Sequence, residues 1–97
     1  MTPAEATNKA LDAGKRLPEL EHIILADSCD AYLYASEVIK GRWIEAEDII
    51  MTHPGRCFNY AKYVIKGKLP EKMHNMMLLY AIKDPNDYVK SYFEFIK

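Results

Sequence analysis

The side chains able to do covalent or acid–base chemistry are two cysteines, three histidines, two central serines and a run of carboxylates. Cys57 follows His53 by four residues, the types of a nucleophile and its base. Pro54 intervenes, and proline suits the first turn of a helix, so His53 falls outside the helix that carries Cys57. Ser28 and Ser36 lack the Gly-x-Ser-x-Gly context that exposes a serine nucleophile. Glu45, Glu47 and Asp48 cluster as general acids and bases would, yet they stand where a helix begins and acids complement its dipole anyway. No His-Glu-x-x-His pair shares a helical face, and four glycines form no phosphate loop. Without a Cys-x-x-Cys spacing, Cys29 and Cys57 read as reduced thiols, Cys57 in the core. The expectation is therefore a non-enzymatic chain with no catalytic residues, no cofactor and no metal.

The elements that would position these groups are set by an internal repeat. The segment Tyr34-Ala35-Ser36-Glu37-Val38-Ile39-Lys40-Gly41-Arg42-Trp43 returns 26 residues later as Tyr60-Ala61-Lys62-Tyr63-Val64-Ile65-Lys66-Gly67-Lys68-Leu69. A period of this length marks one supersecondary unit stacked on copies of itself. Ser28, Pro54 and Pro85 each stand 12 residues before a lysine, namely Lys40, Lys66 and Lys97. Counted from those starts, Ala31, Tyr32, Ala35, Val38 and Ile39 make a helical stripe. Cys57, Phe58, Ala61, Val64 and Ile65 repeat it, as do Tyr88, Val89, Tyr92, Phe95 and Ile96. Gly41 and Gly67 are expected to take the left-handed conformation that ends this helix. Ile44-Glu45 and Pro70-Glu71 then open a second helix, over roughly 44–52 and, about one turn longer, 70–82. A weaker copy begins with the capping box Thr2-Pro3-Ala4-Glu5 and turns at Gly14-Lys15-Arg16-Leu17. The expected fold is all-α: about seven helices in hairpin repeats of about 26–31 residues, stacked like a solenoid into one domain. Its units are 1–27, 28–53, 54–84 and 85–97.

Ninety-seven residues support one core. The longest apolar stretch, Met76 to Ile82, is too short to cross a bilayer, and no leader is apparent, so a cytoplasmic location is expected. The net charge of −1 hides a pattern. The first turns of the hairpins carry Lys15, Arg16, Lys40, Arg42, Lys66 and Lys68, and the opposite turns Asp27, Asp30, Asp84 and Asp87. Helix dipoles account for part of this. The functional reading is a basic edge on which Lys40, Arg42, Trp43, Lys66 and Lys68 contact a protein partner. Trp43 has a competing role as an apolar plug for its turn, since Leu69 takes its place in the next copy. Tyr34, Tyr60 and Tyr63, beside the stripe, are expected to reach solvent with their hydroxyls. Nucleic acid is the alternative partner for the edge, disfavoured by the near-neutral charge. Met76, Met77 and Leu78 offer an exposed helix face for a homodimer.

The string Tyr-Ala-x-x-Val-Ile-Lys-Gly-Arg-Trp-x-Glu-Ala-Glu, Tyr34 to Glu47, resembles a tandem repeat of accessory proteins of tailed bacteriophages and some bacterial proteins. Ile44, His53 and the lengthened second helix depart from that pattern. The resemblance implies a helical-repeat scaffold of viral or prophage origin. It carries no catalytic residues with it. The expected function, a small binding protein that docks on and modulates a host or phage protein, comes from the rigid surface of such a stack.

Overall fold

The computed structural model describes all 97 residues. Helix α1 spans Pro3–Ala13 and α2 Pro18–Ile24. Helix α3 has two windings, α-helical over Ser28–Leu33 and π-helical over Tyr34–Ile39. Helix α4 opens as a 3-10 turn at Ile44–Ala46 and continues as α-helix over Glu47–Ile50. Helix α5 repeats α3, α-helical over Pro54–Asn59 and π-helical over Tyr60–Ile65. Helices α6 (Glu71–Lys83) and α7 (Asp87–Phe95) complete an all-α chain of seven helices.

Local signals start and stop these helices. The Thr2 hydroxyl accepts the Glu5 N–H while the Glu5 carboxylate accepts the Thr2 N–H, closing the capping box on α1. Asp27 and Asn86 cap α3 and α7 by accepting the N–H three residues on. At the other ends the left-handed residue is Gly14 after α1, but Lys40 after α3 and Lys66 after α5, with φ of 59° and 62°. The glycines expected there, Gly41 and Gly67, have ordinary φ. The register explains this: residue 40 is the 26-residue equivalent of Gly14, and the lysine and glycine have exchanged places. Each such lysine closes a wide turn, with the Lys40 N–H on the Ala35 carbonyl at 2.8 Å and the Gly41 N–H on the same oxygen at 3.3 Å.

The buried residues differ from the expected stripe. In α3 and α5, bonding to the fifth rather than the fourth residue slips only the part of the stripe after Ala35 and Ala61 past the α-helical period. Ala31, Tyr34 and Ala35 are buried, as are Cys57, Tyr60 and Ala61, whereas Tyr32, Val38, Phe58 and Val64 lie at the core margin. Tyr88, expected in the stripe, is exposed, and Val89 and Tyr92 carry the contact of α7. The odd-numbered helices touch in succession, α1 to α3 to α5 to α7, and one cluster of 18 buried residues runs from Ala6 to Tyr92. The molecule measures 39 × 22 × 20 Å.

Helix α6 has 13 residues where α4, over 44–50, has seven, nearly two extra turns at about 3.6 residues each rather than one. Tyr80 ties it back by donating to the Met51 carbonyl at 2.8 Å. Its second half leaves Leu78, Leu79 and Ile82 exposed; Met77 is buried and Met76 half-buried, so the apolar outer face lies further along than Met76 to Leu78.

A non-glycine residue in the left-handed region carries a penalty of roughly 1–2 kcal/mol, partly offset in a glycine variant by a freer unfolded chain. Lys40→Gly should therefore stabilise the fold by about 0.5–1 kcal/mol in denaturant unfolding. Gly41→Ala, at an ordinary φ with open space around its Cβ, should not destabilise it by a comparable amount.

Candidate functional site

The turns that carry the basic edge share one construction. At the first turn the Leu17 N–H, which has no helical partner, donates to the Tyr34 hydroxyl at 2.9 Å. Tyr34 donates in turn to Glu21 Oε2 at 2.6 Å. Arg16 grips the same carboxylate with Nε at 2.9 Å and Nη2 at 3.0 Å. The second turn repeats this 26 residues on. The Trp43 N–H donates to the Tyr60 hydroxyl at 2.9 Å, and Tyr60 donates to Glu47 Oε2 at 2.8 Å. Arg42 holds Glu47 through Nε at 2.7 Å and Nη2 at 3.1 Å. Each tyrosine sits on the helix after the hairpin it fastens, so the clamp joins one unit to the next.

The electrostatics follow from this wiring. A buried carboxylate is costly unless it is paired and hydrogen-bonded. Glu47 is buried and meets both conditions with three bonds. The Arg16 guanidinium, helped by the Tyr34 hydroxyl, holds the Glu21 carboxyl below the usual range against the opposing effect of burial. Burial, followed by the bond to the neighbouring carboxylate, pushes the Tyr34 and Tyr60 hydroxyls up, so both remain protonated donors at neutral pH.

The third turn departs from the pattern. The Leu69 N–H still donates to a tyrosine hydroxyl, Tyr92 at 3.1 Å. This tyrosine lies 23 residues on rather than 17, and the six extra residues match the lengthening of α6. The position of Glu21 and Glu47 is taken by Met73, which is buried, and His74 Nδ1 meets Tyr92 at 2.7 Å instead. The Tyr92 hydroxyl thus bridges the Leu69 N–H and the His74 ring. Burial, and then the charge of Lys68, lowers the His74 pKa. Lys68, the counterpart of Arg16 and Arg42, has no carboxylate to hold.

The residues expected to contact a partner therefore divide. Trp43 is 2% exposed, its ring 4.8 Å from that of Tyr34, so its side chain is core and cannot anchor a partner. The side chain of Arg42 is 47% exposed, but two of its nitrogens are committed to Glu47. Lys40, Lys66 and Lys68 are exposed and free of ion pairs. Tyr34 and Tyr60 are wholly buried rather than reaching solvent; Tyr63 alone of the three is exposed. His74 is part of the third clamp. Burial pushes the Cys57 thiol up to about 12, which leaves it protonated and unreactive at neutral pH. The clamp could have been found from identities at the 26-residue period that fall off the apolar stripe: Arg16 with Arg42, Glu21 with Glu47, and Tyr34 with Tyr60.

Comparison with known proteins finds no match to the chain among protein-family models, curated proteins or solved structures.

Tyr60→Phe strands the buried Trp43 N–H, at a cost of about 1–3 kcal/mol. Thermal melts should show a loss of at least about 4 °C in Tm, whereas Tyr63→Phe, at an exposed hydroxyl, should leave Tm unchanged. The folded chain binds fewer protons at His74 than the unfolded chain does, because its pKa lies below the ordinary 6.5. The stability from this pair is fully present above pH 6.5 and is lost as pH falls through the lowered folded value. Urea unfolding from pH 7.5 to 5 should show that loss, and His74→Gln should flatten it. Glu21 titrates in a lower range and leaves this window undisturbed.

Proposed function

We propose that the chain is a small non-enzymatic protein-binding module that docks an acidic surface of its partner on the basic turn edge. The observation that carries this reading is the contrast among the cations of the turns. Arg16 and Arg42 are bound to internal carboxylates, whereas Lys40, Lys66 and Lys68 are exposed without an acidic partner. Lys40 and Lys66 are fixed at the backbone by the closure of their helices, so presenting them costs little further ordering. With Trp43 in the core, the surface contacts reduce to Lys40, Lys66 and Lys68 with the outer part of Arg42.

The likeness of Tyr34 to Glu47 to the tandem repeat of tailed-phage accessory proteins supports a viral or prophage origin. The partner is then a host or phage protein, and the host cytoplasm the place of action. Nucleic acid is the second reading, favoured by the same unpaired lysines and opposed by the net charge of −1. A homodimer through Leu78, Leu79 and Ile82 is compatible with either.

Lys66→Glu/Lys68→Glu reverses two exposed charges without removing a hydrogen bond of any clamp, whereas Arg42→Glu would strand the buried Glu47. Affinity capture from a nuclease-treated bacterial lysate should yield a stoichiometric protein with the parent chain and lose it with the double variant. Capture that persists in the variant contradicts the edge. Capture that vanishes with nuclease and falls steeply with salt selects nucleic acid.

A further inference from the structure

On the side away from the basic turns, the starts of α3, α5 and α7 border a cleft of about 500 Å³ lined by Asp27, Ser28, Cys29, His53, Pro54, Gly55, Arg56, Asn86 and Tyr88. One of its polar groups is left without a partner. The Arg56 Nε is buried and makes no hydrogen bond. Ser28, 8% exposed, lines the same wall. Buried polar groups are nearly always satisfied, and an orphaned guanidinium N–H at the wall of a cleft calls for an acceptor from outside the chain. Tyr88 closes one side by packing over Gly55, its ring 3.4 Å from where a Cβ would stand.

We propose that this cleft binds a small, singly charged oxyanion, with the Arg56 guanidinium and the Ser28 hydroxyl donating to its oxygens. The planar fork of an arginine matches a carboxylate or phosphate, and charge-assisted bonds of this kind are the strong ones. The limit on charge comes from Asp27, which lines the same cleft. Its Oδ2 accepts the Asp30 N–H at 2.9 Å, and that bond holds its carboxyl below the usual range, so it is ionised at neutral pH. Asp27 offsets the charge of Arg56, so directed hydrogen bonds hold a monoanion, and a second negative charge on the ligand would add only repulsion. A carboxylate and a phosphate monoanion present the same oxygens to this wall. The cleft shares no residue with the basic edge, so the two sites stand or fall separately.

The test is a titration of the whole protein with acetate and, separately, with inorganic phosphate, followed by amide NMR at constant ionic strength made up with chloride. Saturable shifts centred on Ser28, Arg56 and Tyr88 are expected, and the tighter of the two arms identifies the source of the oxyanion. Arg56→Gln should weaken binding at least about tenfold, the worth of a hydrogen bond to a charged group. Asp27→Asn keeps a side chain able to cap α3 and removes the opposing charge, so it should bind more tightly than the parent. Shifts that stay linear in both arms, or equal affinity in parent and Arg56→Gln, overturn the proposal. Should Arg56→Gln fail to fold, Asp27→Asn decides alone: unchanged or weaker binding there overturns it.

Discussion

A backbone N–H buried in a turn has no helix or sheet to satisfy it, and leaving it bare costs as much as losing a hydrogen bond outright. This chain meets that difficulty at the turn after each of its first three odd-numbered helices, at Leu17, Trp43 and Leu69. Each time the acceptor is a tyrosine hydroxyl from the following odd-numbered helix. Because the acceptor lies in the next unit, a local requirement becomes a bond between units. The carboxylates of Glu21 and Glu47 orient the first two hydroxyls by accepting their hydrogen bonds, and Arg16 and Arg42 make burial of those carboxylates tolerable. Apolar packing follows the same line: the ring of Tyr34 lies against Trp43, so one turn's tyrosine supports the next turn's core residue.

The third clamp shows what happens when one part changes. With Met73 in the carboxylate position, the Tyr92 hydroxyl meets His74 instead, and an imidazole replaces a carboxylate. Lys68 consequently loses the intramolecular role of its two arginine counterparts and stands free at the surface. The free cations of the edge are thus a by-product of how the clamps are built and where one of them departs from the pattern.

How much of this could be read from the chain depends on which signal carried it. The seven helices were legible because the repeat, the capping box at Thr2 and the prolines at residues 3, 18 and 54 all mark helix starts. Of the expected stripe, Ala31, Ala35, Cys57 and Ala61 are buried, while Tyr32 and Phe58 lie at the core margin. Beyond the first turns α3 and α5 wind as π-helix, and no 3.6-residue pattern announces that change. Gly41 and Gly67 misled about the left-handed position because a lysine–glycine pair can close a helix in either order. Tyr34 and Tyr60 looked half-exposed beside the stripe because their burial depends on a neighbouring turn that no local pattern encodes. The role of Trp43 was visible as an alternative, through Leu69 in its place, and the structure puts its ring in the core. The cleft at Ser28 and Arg56 gathers residues from three separate helix starts, so no sequence spacing points to it.

The claim on which this account rests is that the turn N–H groups of Leu17, Trp43 and Leu69 are held by tyrosines from the next unit. Native-state hydrogen exchange reads those three amides directly. The account predicts that Trp43, the most deeply buried clamp, exchanges only through global unfolding, with a free energy close to that of the slowest amides in the helices. Exchange of Trp43 at the rate of an open surface turn, while the helices on both sides stay protected, would contradict it.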